Sequence, residues 1–153
     1  MLSGCLILAA AALARPADPA PTRPQQVELQ GRVVCLLEEM HHRFEADLPT
    51  DHEHLLGFKT TQGEYYTLLQ SRMSKALFMD ARLREKTLVL KGRVFPASRV
   101  LEITGNLHSM KNGQLHELYY FCDICIIKTI APDPCLCCQA PVELLEVPSA
   151  SNQ

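Results

Sequence analysis

Four cysteines near the C-terminal end of this 153-residue chain form two pairs with the same spacing, Cys122-x2-Cys125 and Cys135-x2-Cys138, nine residues apart. Two residues between cysteines make one tight turn that presents both sulfurs. Two such turns side by side aim four sulfurs at one point. Zn2+ takes four soft ligands in a tetrahedron about 2.3 Å from the metal, and this pattern supplies them. Pro132 and Pro134 shape the connection, and Pro141 follows the second pair. Residues 126–130 and 142–147 read as strands beside the pairs. The segment is too short to bury a core, so a metal would supply its folding energy, on the order of 10 kcal/mol. Four protein ligands leave no open position for a reacting water, which makes such a zinc structural.

Residues 120–147 resemble a zinc ribbon, with Cys122, Cys125, Cys135 and Cys138 as the ligand set. Two residues depart from that pattern: Cys137 is an additional thiol inside the second pair, and Gln139 stands where many ribbons carry Gly. Three other chemistries compete for the same residues. In an oxidising compartment the thiols can pair as two disulfides. A CxxC can be a redox motif, although that needs a helix N-terminus where 126–130 reads as strand. Cys135-x-Cys137-Cys138 is thiol-rich enough for Cu(I).

The body of the chain reads as β-structure. From Val27 the pattern has a period of two, with Val27, Leu29, Val33, Cys35 and Leu37 on one face and Glu28, Gln30 and Arg32 on the other. Gly31 interrupts the inward set, which suits a bulge or sharp bend. Residues 38–54 read as a polar loop, 55–60 and 64–70 as strands, and 71–86 as a break with a short helix capped by Ser74 and a further turn capped by Asp80. Strands return over 87–94, 100–110 and 115–121, the last two flanking the hairpin signal Asn112-Gly113. Five strands with a helix between the third and fourth resemble an OB-fold. The expected fold is therefore mainly β: an OB-like five-stranded barrel over 27–121, then a zinc-ribbon-like hairpin over 122–147 and a disordered tail at 148–153.

The N-terminal end reads as an address. Met1 to Ala14 carries no charge, and Ala12-Leu13-Ala14 is a small-x-small cleavage site after an apolar stretch, so 1–14 is expected to be a signal peptide. Leu2-Ser3-Gly4-Cys5 also matches a bacterial lipobox, which would anchor the chain through Cys5. Pro16, Pro19, Pro21 and Pro24 make 15–26 a stiff linker. No apolar run reaches the roughly 20 residues of a membrane-spanning helix. Export to the periplasm or cell envelope is the expectation.

Two weaker constellations remain. His41, His42, His52 and His54 share the loop with Glu38, Glu39 and other acids, where His52-x-His54 can place two imidazoles together. The plainer reading is a solvated loop, with Cys35 a small core residue. The net charge of −2 also hides an uneven distribution: residues 71–99 hold eight bases (Arg72, Lys75, Arg82, Arg84, Lys86, Lys91, Arg93, Arg99) against Asp80 and Glu85, a net +6. With Phe58, Tyr65 and Tyr66 nearby, this region is a candidate face for an anionic ligand or protein partner; nucleic acid is not expected for an exported chain. No nucleophile elbow, phosphate loop or His-Glu zinc-protease motif occurs, so no catalytic residue is assigned. The sequence thus points to an exported, non-enzymatic binding or scaffold protein with structural zinc. The alternative is a copper- or zinc-handling or thiol-redox protein that uses the cysteine cluster.

Overall fold

A computed structural model describes residues 23–149. The expected signal peptide, the lipid-attachment alternative at Cys5 and the linker as far as residue 22 lie outside the described residues.

Strand β1 (Gln25–Cys35) organises the fold because it serves two neighbours in turn. Its first half pairs with β4 (Leu88–Val94) and its second half with β2 (Leu56–Thr60), and Gly31 faces both Leu88 and Thr60 at the handover. A Cβ on Gly31 would lie 2.1 Å from the Lys59 carbonyl oxygen, so the bend requires glycine here. The strand begins at Gln25, inside the segment expected to be linker. β2 pairs with β3 (Tyr65–Leu68), β3 runs parallel to β5 (Val100–Ile103), and β5 pairs with β4. The circuit β1–β2–β3–β5–β4–β1 closes a five-stranded barrel.

The break between β3 and β4 holds α2 (Lys75–Met79) and a 3-10 turn (Ala81–Leu83), whose Ala76, Leu77 and Leu83 are fully buried. Each buried leucine contributes about 2 kcal/mol, which holds this short segment over the core without intrinsic helix stability. Asp80 caps the turn by accepting from the Arg82 amide at 3.0 Å, as the sequence led us to expect. Ser74 behaves differently. Its hydroxyl donates to the Leu69 carbonyl at 2.7 Å and accepts from the Ser71 amide, so it ties the incoming loop instead of capping α2.

Residues 38–54 are not one loop: Leu36–Phe44 form α1 directly after β1. Leu, Glu and Met favour helix, Glu38 and Glu39 sit at its positive end, and His41, His42 and Arg43 at its negative end. The charge density that looked like a loop is a solvated helix face. Nor is 100–110 a single strand. The Thr104 and Gly105 amides both donate to the Lys91 carbonyl, which ends β5 and turns the chain out of the barrel. It resumes as β6 (Leu107–Lys111), joined to β7 (Gln114–Cys122) by Asn112 and Gly113 at φ of 52° and 76°, the signs of a type I′ turn.

The 107–121 region expected in the barrel therefore lies outside the five-strand circuit, in strands that continue the same sheet. β6 still touches β4 at Leu88 and Val89. β7 is the spine of these strands: Leu118 faces both Leu107 and Glu146, and Tyr120 faces both Thr129 and Leu144. Strand β9 (Glu143–Pro148) thus lines one edge of β7, while β6 and then β8 (Ile127–Thr129) line the other. Pro148 belongs to β9, and the Ser149 amide donates to the Leu115 carbonyl, so ordered pairing runs into the expected tail. Leu107, Leu118 and Tyr120 enter the same core as Phe58, Leu77, Leu90 and Leu101. Barrel and tail are one packed body.

Candidate metal centre

β7 delivers Cys122 to the bottom of the site, where it is fully buried. The turn that follows brings back Cys125, half-buried. The second turn supplies Cys135, fully buried, and Cys138 at the surface. The four sulfurs all lie within 4.8 Å of one another, and those of Cys122 and Cys138 are 3.5 Å apart. A tetrahedron with metal–sulfur bonds of about 2.3 Å has edges of about 3.8 Å, whereas a disulfide needs about 2.05 Å. The six described cysteines are all free thiols. The four can hold a metal ion in this arrangement.

The two turns share one geometry. The Ile126 amide donates to the Cys122 carbonyl at 2.9 Å, and the Gln139 amide to the Cys135 carbonyl at 2.8 Å. Ile126 and Gln139, each directly after the second cysteine of its pair, both have left-handed backbone, at φ of 56° and 62°. The missing glycine leaves the turn intact but strained, most at the β-branched Ile126.

The electrostatics favour a cation. The Cys138 and Cys137 amides point at the Cys135 sulfur and pull its thiol down to about 6. The thiols of Cys137 and Cys138 crowd Cys125 and push it well up. Cys122 is also raised: the Cys125 amide, 3.5 Å from its sulfur, pulls down, but burial and the Cys138 and Cys135 thiols outweigh it. Four thiolates cannot ionise together in this volume without a positive charge among them, and a metal ion supplies it.

The site is braced by the rest of the fold. The Tyr120 hydroxyl donates to Asp80 at 2.8 Å, two residues before Cys122. Lys75 of α2 donates to both carboxylate oxygens of Asp133, between the cysteine pairs, at 2.7 Å. Lys86 donates to Glu146 of β9 at 2.7 Å.

Other sequence candidates lie elsewhere. Cys137 is exposed and outside the four. Six of the eight bases of 71–99 are paired with carboxylates: Lys75 with Asp133, Arg82 with Asp80, Lys86 with Glu146, Lys91 with Glu28, Arg93 with Glu102, and Arg99 with Glu64. Phe58 and Tyr66 are core residues, and the Tyr65 hydroxyl donates to Glu39 at 2.7 Å, so these three form no stacking face. Glu39 also accepts from Lys59 at 2.7 Å. Burial raises its carboxyl, but the bonds from Lys59 and Tyr65 outweigh this and hold it low.

Of the histidines, His41 and His42 lie on α1, where the His41 Nδ1 bonds the Ala46 carbonyl. His52 and His54 meet with ring centroids 5.2 Å apart, beside Cys35 and Glu38. The sequence placed Glu38 in the same segment as the histidines but missed Cys35, which it read as a core residue. The available signal was positional: Cys35 ends an inward-facing strand and Glu38 follows one helical turn later.

A scan of protein-family models and searches of curated proteins and of solved structures return no match to this chain. Among the described residues, no helix is long and apolar enough to cross a membrane.

Proposed function

We propose that this is an exported, non-enzymatic binding or scaffold protein of the cell envelope, built as an OB-like barrel whose zinc-ribbon-like tail is held by a structural zinc at Cys122, Cys125, Cys135 and Cys138. The observation that carries this reading is the convergence of those four free thiols. Zinc is the ion that matches a four-sulfur tetrahedron, and a filled tetrahedron leaves no position for substrate. The closed barrel, with β3 parallel to β5 and a helix between β3 and β4, supports the OB-like reading. Export rests on the charge-free, apolar first 14 residues and their Ala12-Leu13-Ala14 site.

Two surfaces suit a binding role. The tips of the cysteine turns expose Ile124, Ile126 and Leu136, the last at 87%, an apolar surface that fits a protein partner. Among the described residues Arg72 has no carboxylate partner and lines a cavity with Lys75 and Lys128, where an anionic ligand would meet it.

The test is to purify the full chain without oxygen and measure bound metal and reactive thiols together. The expected result is zinc with four thiols protected until the metal is chelated, after which hydrogen exchange rises over residues 122–142 while the barrel stays protected. Two disulfides and no metal would overturn the reading. Copper bound through Cys137, or reversible thiol oxidation, would favour the metal-handling or redox alternative.

A further inference from the structure

The second cluster stands at the opposite end of β1's second half, where the strand gives way to α1. Cys35 is the last residue of β1, and Glu38 sits in the first turn of α1. His52 and His54 come from the segment before β2. The ligand atoms of these four residues lie within 4.8 Å of one another. Cys35 Sγ and His52 Nε2 are 3.5 Å apart, and Glu38 Oε1 is 3.5 Å from both His52 Nε2 and His54 Nδ1.

We propose that Cys35, Glu38, His52 and His54 form a second metal site, for a divalent ion of the zinc type. Bond lengths of about 2.0–2.1 Å to imidazole or carboxylate and about 2.3 Å to thiolate give tetrahedral edges of about 3.3–3.8 Å, and the three separations above fall in that window. The chemistry of the set fits as well. One thiolate and one carboxylate neutralise a divalent charge, and two imidazoles complete a borderline donor set that suits zinc better than calcium or magnesium.

The orientation of His52 carries the argument further. Its Nδ1 lies 3.1 Å from the Pro49 carbonyl oxygen, which can only accept, so Nδ1 bears the proton. In the neutral ring Nε2 is then a bare lone pair. It is aimed at the Glu38 carboxylate and the Cys35 sulfur; the Cys35 thiol can donate its one proton to it, and a cation among the three groups would take that proton's place. A ring nitrogen bonded to a backbone carbonyl, with the other directed inward, is the usual support of a metal-bound histidine. The His52 side chain is 12% exposed and Cys35 is buried, whereas His54 and Glu38 are half-exposed. A cavity of about 380 Å³, lined by Cys35, Glu38, His42 and His54, opens beside the cluster and offers an ion a path from solvent.

This site shares no residue with the C-terminal cysteine cluster, and its test keeps the two apart. The full-length chain is loaded with Zn2+, desalted and analysed for metal, alongside a His52→Ala, His54→Gln variant and a Cys125→Ser, Cys138→Ser variant. The expected contents are two zinc ions per chain in the parent and one in each variant. In the histidine variant, four thiols should remain protected. If the C-terminal cluster binds no metal, the parent holds one zinc, which the histidine variant loses and the cysteine variant keeps; the proposal then stands alone. A parent zinc content unchanged in the histidine variant would overturn it. His54→Gln placed in the Cys125→Ser, Cys138→Ser variant, at a half-exposed position, guards against unfolding: it should keep that variant's melting temperature without zinc and lose the increase that zinc gives it. Cobalt in the cysteine variant supplies an independent readout. A thiolate-to-cobalt charge-transfer band should appear there and weaken on adding Cys35→Ser; a band of unchanged intensity would also overturn the proposal.

Discussion

The Tyr120 hydroxyl donates a 2.8 Å hydrogen bond to Oδ2 of Asp80, across 40 residues of sequence and inside the core. Asp80 also receives the Arg82 guanidinium and amide, so one carboxylate caps the 3-10 turn and holds the strand that leads into the cysteine site. Tyr120→Phe removes the donor while keeping the ring. Hydrogen bonds to charged groups contribute about 1.5–3 kcal/mol, and a loss of that size is expected in urea unfolding, with metal content unchanged.

Acid should expose the same group. The Arg82 side chain, aided by Tyr120 and opposed by burial, lowers the Asp80 carboxyl from its ordinary value to about 2. A depressed folded-state value means the unfolded chain takes up the proton first as pH falls. The stabilisation is full above about pH 5 and lost toward pH 2, and amounts to about 2 kcal/mol. Unfolding free energies of the parent and Asp80→Asn should therefore differ at neutral pH and converge near pH 2.

Ile126 is strained where glycine would be relaxed. With φ at 56° and a side chain 70% exposed, it gains little from burial and bears the cost of a left-handed backbone. Ile126→Gly should raise the melting temperature, by the equivalent of about 1 kcal/mol, and leave zinc content unchanged.

Gly31 is the reverse case. A methyl group there would meet the Lys59 carbonyl oxygen at 2.1 Å and the Thr60 Cα at 2.8 Å, both of them backbone atoms of β2. Gly31→Ala should destabilise the barrel by at least about 2 kcal/mol, measured by chemical denaturation, because β1 can no longer hand over from β4 to β2 without moving.

What the sequence revealed follows from which forces are local. The alternation around Gly31, the Asn112-Gly113 turn and the paired cysteines each arise from backbone geometry within a few residues, and each is found where expected, except that Leu37, expected on the inward face, lies exposed on α1. α1 was hidden because a short helix rich in Glu and His has the composition of a loop, and its place is set by Leu36 packing against Gly57. The exit from the barrel at Gly105 depends on the Lys91 carbonyl, 14 residues upstream, which no window of sequence displays. The basic stretch read as a charged surface because its partners Glu28, Glu64, Asp133 and Glu146 are distant in sequence. For the same reason Cys35 could not be joined to Glu38, His52 and His54 before the chain was folded.

The central claim is that Cys122, Cys125, Cys135 and Cys138 surround one structural metal ion. X-ray absorption at the zinc edge of the full-length His52→Ala, His54→Gln variant tests it most directly, since only the C-terminal site is then left to contribute. The account predicts a single shell of four sulfurs at about 2.3 Å. A shell dominated by nitrogen or oxygen, or a chain without zinc whose four cysteines are joined in disulfides, would contradict it.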